Sequence, residues 1–160
     1  MTDDARFEDG AVRPLRLAAA DEEDLRIVST LVQDAVLPVE EISWKPSARC
    51  FVILLNRFRW EDEENARKRG RAFERVQSVL AFEDVEKVEA QGVDPKEKDT
   101  VLSILGVSFK PGEDGAGTVE LVLSGDGGLR LTVEAINATL TDVTRPYVAP
   151  SGQVPDHGPD

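Results

Sequence analysis

RWEDEENARKRGR, residues 59–71, is the densest run of charge in the chain, and it follows the wholly apolar run FVILL at 51–55. Strand-like segments flank it, CFVILLNRF at 50–58 and RVQSVLAF at 75–82. A helix of crossover length between them would make these strands parallel; a hairpin connection makes them antiparallel. The run offers two helical turns at most. Acids Glu61–Glu64 lead, bases Arg67–Arg69 trail and Gly70 closes, with Glu63 and Arg67, and Glu64 and Lys68, at the favourable i,i+4 spacing. That is short for a βαβ unit and marginal as an isolated helix. The segment therefore reads as an enlarged hairpin connection, with residues 61–70 replaceable by a short turn.

Working outward, EISWK, CFVILLNRF, RVQSVLAF, VEKVEAQGV, VLSILGVSF, TVELVLS, LRLTVEA and ATLTDV are short and rich in β-branched or aromatic residues. Turn-forming KPSAR, FEDV, KPGEDGAG and SGDGG separate several of them. LRLTVEA alternates cleanly, with Leu129, Leu131 and Val133 on one side and Arg130, Thr132 and Glu134 on the other. One buried and one wet face is the habit of antiparallel sheets. CFVILL is apolar on both faces, as a central strand is. Upstream, RPLRL reads as a further short strand, and DEEDLRIVSTLVQDAVLP is the strongest helix signal. Asp21 caps it, Glu22–Asp24 sit at its positive end, and Leu25, Val28, Leu31, Val32 and Ala35 form one stripe that runs on toward Pro38.

Ile42-Ser43-Trp44-Lys45-Pro46 is echoed by Val107-Ser108-Phe109-Lys110-Pro111. Each echo leads through a polar turn to an apolar strand and then to two more strands. The expected fold is α+β: one N-terminal helix packed on an antiparallel system of about eight short strands. Its sharper version is a duplicated four-strand unit relating residues 39–92 to 101–143. A pleckstrin-homology-like or half-open barrel is the alternative. Residues 1–13 read as a mobile acidic lead-in, 14–143 as a single globular domain and 144–160, with four of the nine prolines, as a flexible tail.

Composition excludes more chemistry than it suggests. A net charge of −12 opposes nucleic acid and anionic membranes unless bases are segregated on one face. No apolar run approaches the roughly 18–20 residues of a membrane span. With a polar N-terminus and the lone Cys50, the expected compartment is the cytoplasm, without disulfides. The single histidine, His157, lies in the Pro-rich tail, and CxxC pairs, Gly-rich phosphate loops and GxSxG elbows are missing. Asp114 and Asp126 sit in Gly-rich turns without calcium-loop spacing. No cofactor or metal is expected, and no catalytic residue stands out.

One local cluster remains. Between Arg57 and Arg75 seven bases meet five acids, and Arg57 and Arg59 alternate with Phe58 and Trp60. Arginine beside an exposed aromatic is the chemistry of interface hot spots and anion contacts. Arg57, Arg59, Trp60, Arg71 and Arg75 are therefore the candidate partner- or anion-binding residues, held at the strand ends at the base of the connection. The competing reading folds Trp60 onto the core and pairs the arginines with Glu61–Glu64.

NRFRWE at 56–61, ERV at 74–76, Leu80–Gly92 with its LxFxxVxxVxxxG pattern, and Leu129–Val143 with LxLxVEAIxAxLxDV carry a resemblance. Together they resemble a domain-of-unknown-function family of small bacterial proteins, number 2948 in that series, from about Leu15 to Val143. That resemblance implies no substrate, cofactor or catalytic residue. The functional expectation is a non-enzymatic cytosolic module that binds a protein partner or a second copy of itself. The alternative is a small-molecule or anion-binding protein, or a carboxylate/arginine enzyme, with its cleft near residues 57–75.

Overall fold

A period of two in the sequence becomes strand after strand in this molecule. In a computed structural model describing residues 14–70 and 74–148, the elements begin β1 (Arg16–Ala19), α1 (Glu22–Leu31), β2 (Val36–Pro38), β3 (Ile42–Lys45) and β4 (Cys50–Phe58). They continue α2 (Glu63–Lys68), β5 (Arg75–Phe82), β6 (Val85–Gln91), β7 (Val101–Pro111), β8 (Gly117–Leu123), β9 (Gly127–Val133) and β10 (Ala138–Asp142). Every strand pairing is antiparallel, in the order β1-β10-β5-β4-β2-β7-β8-β9-β6, with β3 also on β4. The class is α+β, with ten strands rather than about eight. The lead-in 1–13 and the tail from 149 onward lie outside the described residues.

The opening segment is a hairpin connection. Phe58 pairs with Arg75 across it, and β4 and β5 continue in register to Phe51 opposite Phe82. β4 is central, flanked by β5 on one side and by β3 and β2 on the other, which is why CFVILL is apolar on both faces. In the short SGDGG connection, Gly125 and Asp126 both take positive φ, 73° and 62°, and turn β8 into β9.

α1 begins as its sequence dictates, with Asp21 Oδ1 accepting from the Asp24 N–H at 2.8 Å. It ends earlier than its apolar stripe predicts. The last helical residue is Leu31, and Asp34 turns the chain at a left-handed φ of 64°. Val36–Pro38 then goes to the sheet, because pairing with β7 satisfies its backbone where a helix cannot pass Pro38. Leu25, Val28, Val32 and Ala35 all still reach the core, which joins them to Phe51, Ile53, Leu80, Phe82, Ile104, Leu121 and Leu131.

The two echoes occupy matching places in the register. Trp44 pairs with Phe51, which pairs with Phe82; Phe109 pairs with Val119, which pairs with Leu131. Each three-stranded meander then sends its next strand across: β6 pairs with β9, and β10 pairs with β5. Where the halves meet, Val36 faces Ser103, Leu37 faces Leu102 and Pro38 faces Val101. Hydrogen bonds from Val39 N to Thr100 O and from Ile104 N to Ala35 O, both 2.9 Å, flank these pairs. The whole pattern is unchanged when residues 35–39 and 100–104 are exchanged. Leu37 to Leu102 is the same 65-residue step as Trp44 to Phe109.

Candidate functional site

Strand alternation places Arg57 inward on β4, and the fold encloses it. It is 0 % exposed. Its guanidinium is held from both sides: Nη1 and Nη2 donate to the two Glu61 oxygens at 2.9 and 2.8 Å, while Nε and Nη2 donate to Asp142 at 3.1 and 3.0 Å. Ser78 Oγ donates to Asp142 Oδ1 at 2.7 Å, and the Leu15 N–H donates to Asp142 Oδ2 at 2.9 Å. Burial works against the Arg57 charge, but the hydrogen bonds to Glu61 and then Asp142 outweigh it and raise its pKa above the usual arginine value. Bidentate pairing with two carboxylates leaves this guanidinium no face for a ligand.

The expectation that Arg57 and Arg59 stand available at the base of the connection is thus corrected. Arg59 is 6 % exposed and donates through Nη1 to Asp62 at 3.3 Å and to Glu74 at 2.5 Å. Trp60 folds back, its indole N–H donating to Gln33 O at 3.0 Å and its ring set edge-on to Phe58 at 4.5 Å. Arg75 is half-buried on β5, where its backbone exchanges hydrogen bonds with Tyr147 at 2.7 and 2.8 Å. This contact and Gln77 N to Thr144 Oγ1 at 3.0 Å tie the start of the 144–160 stretch to β5. Arg71 and His157 lie outside the described residues.

Sequence reasoning missed Asp142, the second carboxylate on Arg57. The signal was there: Ala138, Leu140 and Asp142 alternate onto one face of β10, so a carboxylate stands at a core position. The depression beside the connection, bounded by Glu61, Glu64, Asn65 and Lys68, has a volume of about 240 Å³. That is below the roughly 300 Å³ usual for a ligand site.

A larger opening lies elsewhere. Between β3 and β6 runs an open, mainly apolar groove of about 660 Å³, lined by Ile42, Trp44, Phe51, Val88, Ala90 and Leu129. The 92–100 connection adds Val93, Pro95 and Lys98 to its lining. Trp44 is half-buried at its wall and Ala90 is exposed on β6. Glu40 and Lys98 are the charged side chains along it. The arrangement can take up apolar surface; it offers no nucleophile with an adjacent base.

Among the described residues no group of three or more His, Cys, Asp or Glu side chains is placed to hold a metal ion. No helix among them is long and apolar enough to cross a membrane. Cys50 is a free, half-buried thiol at the start of β4. The family model described as "Protein of unknown function (DUF2948)" matches residues 15–157, and the chain belongs to that family. No curated relative and no solved structure matches the chain.

Proposed function

We propose that this protein is a non-enzymatic cytosolic module that binds a protein partner, and that the β3–β6 groove is its acceptor site. The groove carries this reading. It combines a half-buried tryptophan with branched aliphatic residues in a cleft of about 660 Å³, the composition of a hot-spot pocket. The arginines of the 57–75 segment support it by default, since Arg57 and Arg59 are spent on internal carboxylates. A duplicated four-strand unit with exchanged fourth strands is the architecture we propose beneath it, supported by the matching registers of Trp44 and Phe109.

The test is an affinity pull-down from the native cell, read by mass spectrometry, with wild type beside Ala90→Glu. This substitution places a charge on the groove wall from an exposed position and spares the core. A partner held by wild type and lost by the folded variant is the expected result. Equal recovery by both removes the groove from consideration. Light scattering at micromolar concentration separates a second copy of the chain from a foreign protein.

A further inference from the structure

We infer that the β3–β6 groove is the seat of an amphipathic helix supplied by the partner, and that the exposed face of that helix is basic. The inference rests on the groove being the acceptor site and goes on to name what fills it. It comes from what covers the corresponding gap in the other half of the molecule.

The 65-residue step equates Ile42 and Trp44 with Val107 and Phe109. Over Val107 and Phe109 lies α1, whose Leu25 and Arg26 line a small cavity of about 90 Å³ with them and whose Ser29 Oγ accepts from the Val107 N–H at 2.9 Å. The far wall corresponds too. Val88 faces Leu131 and Ala90 faces Leu129 on β9, as Ala138 faces Phe82 and Leu140 faces Leu80 on β5. Ala138 and Leu140 are buried in the core, whereas Val88 is half-buried and Ala90 exposed. One gap is covered by a helix; its counterpart stands open.

The connections explain the difference. The chain enters β2 through α1, and it enters β7 through residues 92–100, GVDPKEKDT. This nine-residue link spends itself on turns, with Glu97 N bonded to Asp94 O and Thr100 N to Glu97 O, both 3.0 Å. A ten-residue helix like α1 spans about 15 Å and does not fit within it. The missing cover is therefore a helix presenting branched aliphatic residues at the spacing of Leu25, Val28 and Val32, the helix-in-groove mode of recognition. Charge complementarity sets its other face, because a chain of net charge −12 attracts a basic helix and repels an acidic one.

The experiment uses the full chain carrying Trp60→Phe, so that Trp44 is the sole tryptophan. Two stapled helical peptides are titrated in: one with residues 20–36 of this chain, net charge −4, the other the same with Glu23→Lys, Ile27→Lys, Thr30→Lys and Asp34→Lys on the face away from Leu25, Val28 and Val32, net charge +2. Both should shift Trp44 emission to the blue and saturate. The lysine peptide should bind at least about fivefold tighter at low salt, with the advantage shrinking as salt rises. Adding Ala90→Glu should weaken both at least about tenfold with the melting temperature unchanged. No shift with either peptide, or equal binding by Ala90→Glu, overturns the helix. So does binding of a small apolar dye at Trp44 that neither peptide displaces, which would make the groove a small-molecule site. Loss of the cellular partner by Ala90→Glu with both peptides silent sinks the helix while leaving the acceptor site standing.

Discussion

Arg57 shows how one residue can pass from binding candidate to structural centre once its neighbours are known. A guanidinium out of water is tolerable only with its charge matched and its donors used, and Asp142, Glu61 and Ser78 do both. Arg57→Met should therefore cost about 3–5 kcal/mol, because it leaves Asp142 buried without its counter-charge. Pairing it with Asp142→Leu should recover a large part of that loss, since both members of the buried pair are then apolar. Urea unfolding of the two variants measures this; equal instability would mean that Arg57 acts by its packing alone. An Arg57 and Arg59 double alanine variant is accordingly a folding probe, and its loss of a partner would say nothing about a binding surface.

At the scale of elements, the 57–75 connection is more than solvated charge. α2 forms with Glu63–Arg67 at 3.4 Å and Glu64–Lys68 at 3.2 Å, both largely exposed pairs. Its anchors lie elsewhere, in buried Ala66, in buried Asp62 on Arg59, and in Glu61 on Arg57. Replacing 61–70 by a short turn, harmless if the run were a bare loop, should lower stability by roughly 1.5–3 kcal/mol through the lost Glu61 bonds to a charged group. Glu64→Ala with Lys68→Ala should change it by less than about 0.5 kcal/mol. Thermal melts of the two variants decide between an anchored element and a free loop, and equal melting temperatures would restore the free loop.

For the whole molecule, the crossed pairings of β6 with β9 and β10 with β5 couple the N- and C-terminal strands. β6 leaves its own meander for β9, β10 leaves its own for β5, and inward residues of both halves share one core. Neither half can satisfy its strand edges alone. Fragments ending and beginning within 92–100 should each lack cooperative unfolding, and an equimolar mixture should regain the circular dichroism of the intact chain as a one-to-one complex. A single cooperative transition in urea, coincident by near- and far-ultraviolet signals, should mark the intact protein. Independent folding of either fragment would show that the exchanged strands are ornaments.

Local chemistry is readable in the chain because it acts between near neighbours. The Asp21 cap, the left-handed turn at Gly125 and Asp126, the i,i+4 pairs of α2 and the central, doubly apolar β4 all follow from residues within a few positions of each other. So did the α+β class, and the family through its strand patterns. What needed the tertiary structure was every feature made by residues far apart. Asp142 meets Arg57 across 85 positions, so no window of sequence joins them. The end of α1 at Leu31 was set by β7 drawing Val36–Pro38 into the sheet, a long-range pairing that outweighed an unbroken apolar stripe. The groove is lined by residues of β3, β4, β6 and β9, segments that only the folded chain brings side by side. Sequence by itself determined which segments bury one face and where the chain turns; the tertiary structure decided which charges are consumed and which apolar face is left open, because both depend on contacts that form only when distant strands meet.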